Sequence, residues 1–210
     1  HPLFRALWIA SAVSNIGTWM HDVGASWLMT SLSPSPLLVA LMQASSSLPL
    51  FLLALPAGAI ADVVDRRKML LITQTWMLCI ASLLGFLTLS GITTPWILLT
   101  LTFALSVGTS MNMPVWQAII PELVPRSELP SAVTLNGIVI NLARSIGPAI
   151  AGFIIAASNP GVVFLLNATS FLCVIFVLYS WKRAPIENAL PAERFTGAIV
   201  AGVRYARFSP

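Results

Sequence analysis

The chain has 210 residues, of which 57% are hydrophobic and only 9% charged, against about a quarter charged in soluble domains, so a water-soluble globule is excluded. The formal net charge of +4 does not mark a nucleic-acid binder, because the bases fall in short segments between apolar runs and build no polar surface. No glycine-rich phosphate loop, no metal-spaced His/Cys cluster and no Ser–His–acid set occurs, so neither an enzyme nor an ATP-driven pump is expected, and no metal or other cofactor is implied.

A bilayer crossing needs about 20 mainly apolar residues in helical form. Six such runs can be drawn, at about 7–30, 37–59, 69–89, 95–115, 132–156 and 162–181. The connections alternate in character. Segments 31–36, 90–94 and 157–161 carry no charge, whereas 62–68, 122–128 and the tail from 182 hold nearly all of it. Short cytoplasmic loops accumulate Lys and Arg, so the pattern predicts an all-α membrane protein: a six-helix bundle with both ends of the chain cytoplasmic. An internal repeat between the first and second three runs is not evident by eye.

In the first run Ser11, Asn15, Thr18, Asp22 and Ser26 recur at steps of three or four and share one helix face. That stripe must face protein or water rather than lipid, and Asp22 is the only acid inside any run. Asp22 and Asn15 are therefore candidates for coupling or substrate contact. His21 lies about 100° round the helix and reads as structural. Trp19, beside the stripe, reads as packing, with stacking on an aromatic ligand as the alternative. Trp27 and Trp96 at one end, and Trp116 and Trp181 at the other, suit interface anchors. Cys79 and Cys173 read as small buried hydrophobes.

Between the second and third runs stands Gly58-Ala-Ile-Ala-Asp62-Val-Val-Asp65-Arg66-Arg67-Lys68, too charged for hydrocarbon. Gly58, Asp62, Arg66 and Arg67, at this spacing and in this place, resemble the signature loop of the major facilitator superfamily of transporters. Within it the chain is most similar to the group of enterobactin exporters and macrolide efflux proteins. Val63 and Asp65 stand where that loop usually has a base and a glycine. The resemblance implies one half of a twelve-helix fold: residues 1–181 as the N-terminal bundle and 182–210 as a cytoplasmic linker, in a bacterial inner membrane. It implies as partners a C-terminal six-helix half, a small-molecule substrate, protons and membrane lipid, with no nucleic acid. It also implies a cytoplasmic gate of Gly58, Asp62, Asp65, Arg66 and Arg67. There Asp62 would face a helix N-terminus of the other half, and the bases would pair with Glu122 or Glu128.

The fourth run sets Thr102, Ser106, Thr109, Met113 and Gln117 on one face, and Ala104 fills the place ahead of Gly108 where drug-type members carry Arg. The fifth has Arg144 about halfway along, with Thr134, Asn141 and Pro148 near the same face. A central Arg needs an acid, an anionic ligand or water. Asp22 is offset from it by only about 6 Å in depth, and a pair broken by protonating Asp22 would be a coupling switch; a static staple is the alternative. Gly147-Pro148-Ala149-Ile150-Ala151-Gly152 resembles the antiporter signature. Gly147, Pro148 and Gly152 would then belong to a gating helix, small residues allowing close approach and proline a bend.

In the tail, 194–207 resumes helical spacing with Arg204 and Arg207 off the apolar line, which fits a basic amphipathic surface helix or a plain linker. The chain opens at His1 without Met and is expected to be part of a longer protein. The expected function is a proton-coupled exporter of amphipathic small molecules, such as drugs or siderophores, working by alternating access. A lysophospholipid or metabolite carrier of the same fold and a non-transporting sensor or scaffold are the alternatives.

Overall fold

The computed structural model describes residues 2–181. Hydrocarbon offers no partner to backbone N–H and C=O groups, so each crossing must satisfy them within itself as a helix. Six long helices result: α1 (Pro2–Leu32), α2 (Pro36–Val63), α3 (Arg66–Leu89), α4 (Pro95–Leu123), α5 (Leu129–Ala157) and α6 (Pro160–Ser180), with a 3₁₀ turn, Arg126–Glu128, leading into α5. No strand occurs among the described residues.

The ends are fixed locally. Proline in the first turn starts α2, α4, α5 and α6, where its set φ costs nothing. The Thr94 hydroxyl accepts from the Ile97 N–H, the Asn159 carboxamide from Gly161, and the Asp65 carboxylate from Lys68. Gly91 leaves α3 with φ of 70°, the left-handed turn for which glycine is suited. Most helices overrun the expected runs, chiefly at the end that carries the charged loops: α2 continues to Val63 and α4 to Leu123. An apolar run records hydrocarbon thickness, whereas a helix continues into water until something caps it.

Five of the six, α2 to α6, contain stretches long and apolar enough to cross a membrane. The exception is α1, whose 31 residues are long enough but carry the polar stripe.

Helix α1 packs between α5 and α6, α3 packs on α6 and α4, and α2 lies against α4. Exchanging α1–α3 for α4–α6 maps this set of pairings onto itself. The inverted repeat is therefore present in the packing although no residue correspondence shows it. Two apolar clusters tie α1, α2, α3, α4 and α6 together at opposite ends. Leu7, Leu70, Val115, Ile119 and Leu178 fill the charged end, and Met29, Met42, Leu84, Leu98 and Phe164 the uncharged end. Helix α5 belongs to neither cluster and leans on α1.

Glycines inside the helices serve as notches. A Cβ on Gly108 would meet Met77 and Trp76, and one on Gly85 would meet Leu165. Without side chains there, the helices approach closely and gain dispersion contacts. Cys79 and Cys173, expected to be buried, lie on exposed faces. Trp27 and Trp96 are exposed, as anchors require, but Trp181 is buried in the charged-end cluster and Trp116 is half-buried against it. The expected tail helix, 194–207, lies outside the described residues.

Gly147 and Gly152 make opposite cases of one substitution. A Cβ on Gly147 would stand 2.7 Å from the Trp19 Cβ and 3.2 Å from the Ile16 carbonyl oxygen, whereas one on Gly152 meets nothing within 4 Å. Gly147→Ala is expected to destabilise by at least about 1 kcal/mol through overpacking, and Gly152→Ala to stabilise by about 0.5–1 kcal/mol through helix propensity. Thermal denaturation in detergent measures both signs.

Candidate functional site

Between the two apolar clusters the bundle holds a partly open cavity of about 320 Å³. On the α1 side its wall is the stripe: Ser11, Ser14, Asn15, Thr18 and Asp22, with Trp19 beside them. Opposite stand Gln74 and Met77 of α3 and Thr109, Asn112, Trp116 and Gln117 of α4; Asn136 of α5 and Phe171 of α6 complete it. A polar face on a membrane helix must be covered by protein or water, and the cavity is where the α1 stripe finds that cover.

The polar wall is ordered by hydrogen bonds. The Asn15 amide donates to both the Ser11 carbonyl (2.8 Å) and the Ser11 hydroxyl (3.1 Å), and the Thr18 hydroxyl donates to the Ser14 carbonyl. Across the cavity the Asn112 carbonyl oxygen accepts from the Thr73 hydroxyl at 3.1 Å and from the Gln74 amide at 3.3 Å. The Gln74 carbonyl oxygen is buried and has no partner.

Asp22 also borders a second, open recess of about 470 Å³ together with Trp19, Ser26, Trp27, Thr30 and Pro148. Trp19 and Asp22 thus stand on the partition between cavity and recess. Arg144 lines neither space: its guanidinium sits 5.8 Å from the centroid of the Trp19 ring, a cation–π stack, and no ion pair joins it to Asp22. Asn141 is exposed and donates to the Gly137 carbonyl of its own helix, so α5 reaches the cavity through Asn136 and Ile140. His21 is buried, with its ring centroid 4.7 Å from that of Phe164.

At the charged end Arg66 donates to the Glu122 carboxylate and to the Ala118 carbonyl, at 2.8 and 2.7 Å. Arg67 turns to α6 and donates to the Leu178 and Tyr179 carbonyls, both at 2.8 Å. These are orphan acceptors at a helix C-terminus, where the dipole also favours a cation. One residue of the loop therefore ties α3 to α4 and the next ties it to α6. Asp62 falls in the last turn of α2, and Gly58 one turn earlier has open space about its Cα. Sequence spacing did not single out Gln74, Asn112 or Asn136, because none of them was read as part of a polar stripe. An uncharged amide inside an apolar run was the signal available, since such groups seek interhelical partners.

Comparison with known proteins adds the following. The family model for transmembrane secretion effectors matches residues 1–210. The staphyloferrin A transporter of Staphylococcus aureus (strain NCTC 8325 / PS 47) is 30% identical over 164 residues, covering 77% of this chain and 41% of the relative. The MFS-type transporter YfiS of Bacillus subtilis (strain 168) is 27% identical over 220 residues, covering 100% of this chain and 52% of the relative. An enterobactin exporter of Salmonella choleraesuis (strain SC-B67) is 24% identical over 212 residues, covering 100% of this chain and 50% of the relative. The chain spans about half the length of these curated relatives.

The loop geometry sets an order of losses. The Arg66 and Glu122 side chains keep 27% and 22% of their exposure, so solvent screens their pairing, and Glu122→Ala is expected to cost under about 1 kcal/mol. Arg66→Ala also strips the donor from the Ala118 carbonyl and should cost about 1 kcal/mol more. Denaturation midpoints of the two variants in detergent check the order.

Proposed function

The chain belongs to the transmembrane secretion effector family of the major facilitator superfamily, and from that premise we propose that it forms half of a proton-coupled exporter of amphipathic small molecules, siderophores among them. The observation that carries this reading is Asp22. Among the described residues it is the one acid away from the helix ends, and it borders a cavity whose other polar groups are neutral. An intramembrane carboxylate beside a cavity large enough to admit water can take up and release a proton, and a ligand in the same cavity would feel the change of charge. The names of the staphyloferrin A transporter and the enterobactin exporter support siderophores as a substrate class.

Alternating access needs two bundles rocking about a shared site, so the working protein pairs this bundle with a second six-helix half. The charged end is cytoplasmic on this reading, from its surplus of bases. Gly58, Asp62, Asp65, Arg66, Arg67 and Glu122 then act as the cytoplasmic gate. Gly147, Pro148 and Gly152 belong to a helix that moves against α1. Asn15 serves substrate contact, and Arg144, held over Trp19, is the nearby cation that a deprotonated Asp22 could attract; Asn141 supports the α5 turn next to it.

The test uses the full-length protein in everted vesicles with a respiration-driven pH gradient, challenged with amphipathic drugs and catecholate siderophores. At least one compound is expected to collapse the gradient, and Asp22→Asn to abolish the collapse. A collapse that survives the substitution would remove Asp22 from the coupling path, and no collapse across the panel would sink proton coupling.

A further inference from the structure

The hydrogen bonds around the cavity are spent unevenly, and the imbalance describes what fits there. On the α1 and α3 walls three donor groups are engaged: the Asn15 amide donates to the Ser11 carbonyl and hydroxyl, the Thr18 hydroxyl to the Ser14 carbonyl, and the Gln74 amide to Asn112. What these groups still offer is acceptor capacity, and Asp22 adds a carboxylate on the same wall. The Gln74 carbonyl oxygen is the clearest case. Gln74 is only 3% exposed, its Oε1 has no partner, and the residue lines the cavity. Among the described residues no Lys or Arg lines the cavity, and its remaining amide donors, on Asn112, Gln117 and Asn136, lie on the α4 and α5 side.

We propose that Gln74 is a specificity-determining residue: its carbonyl, with the acceptors of the α1 stripe, selects ligands whose polar head donates hydrogen bonds. The ligand's aromatic or aliphatic body packs against Trp19, Trp116, Phe171 and Met77. An ammonium and a phenolic hydroxyl carry the same donor chemistry. The inference rests on the reading of this cavity as the substrate site. A site built around an unmet acceptor discriminates strongly, because a ligand without the donor leaves that acceptor buried and unpaired.

The experiment uses the full-length protein in nanodiscs, without any gradient, and follows tryptophan fluorescence, since Trp19 and Trp116 line the cavity. The probes are two matched pairs: 4-hexylcatechol with its dimethyl ether, and 6-phenylhexylammonium with its N-trimethyl derivative. Within each pair the body is kept and only the donors are removed. In at least one pair the donor-bearing member is expected to bind about tenfold tighter or better, and the pair that shows it identifies the head group. Gln74→Leu is expected to cut that ratio severalfold, by weakening the donor-bearing member more than the methylated one. Gln74→Glu, which keeps an acceptor, should retain most of the preference, and Gln74→Met replaces the leucine variant if that one fails to fold. Equal affinities in both pairs, no binding in either, or a preference undiminished by loss of the Gln74 carbonyl would overturn the proposal. Donor preference without transport in vesicles would remove the exporter reading and keep this site; transport of the probes without donor preference would do the reverse.

Discussion

One side of α1 carries hydroxyls, amides and a carboxylate that hydrocarbon cannot solvate, and the helices around it are arranged to meet that constraint. α5 and α6 pack most closely on α1, whereas α2 lies chiefly against α4 with a mostly apolar exposed surface. The stripe is not filled by side chains from the neighbours, which would require a full set of interhelical hydrogen bonds. It is left facing a cavity, with apolar clusters above and below. A polar recess flanked at both ends by Leu, Met, Val and Phe side chains is the direct result.

The same constraint decides how the polar groups are used. Buried hydroxyls and amides on a helix can return a hydrogen to a carbonyl one turn back, and Asn15, Thr18, Ser26, Thr109 and Ser110 all do so. Each such bond lets the residue live in an apolar bundle without a partner on another helix. It also fixes which half of the group's hydrogen-bonding capacity stays available. Self-satisfaction along α1 and the unmet carbonyl of Gln74 are thus two faces of one chemistry, in which donors go to the backbone or to a neighbour and acceptors are left over.

Much of this was legible in the sequence, for physical reasons that differ from element to element. Helix number followed from apolar run length, and the cavity wall of α1 from the spacing of Ser11, Asn15, Thr18 and Asp22. The Arg66–Glu122 pair was within reach because charged residues are scarce and their loops lie at one end. Helix ends were less legible, since hydropathy marks hydrocarbon and not caps. Three-dimensional neighbourhood was least legible. Depth along two helices gave Asp22 and Arg144 similar levels, but not the intervening Trp19, whose ring takes the guanidinium. Nor could spacing on α5 alone show that Asn136, rather than Asn141, turns toward the cavity.

The polarity of α1 has a further consequence for how the bundle is made. Of the six helices α1 is synthesised before the others and is the least suited to rest alone in lipid, yet the helices it packs against most, α5 and α6, follow all the rest of the six. More than a hundred residues separate the stripe from its cover. During that interval the polar face of α1 has to be shielded by water or by the insertion machinery. The completed bundle is therefore sealed by its final two helices, and a ribosome that stalls before α5 emerges leaves a nascent chain whose first helix has no stable place in the bilayer.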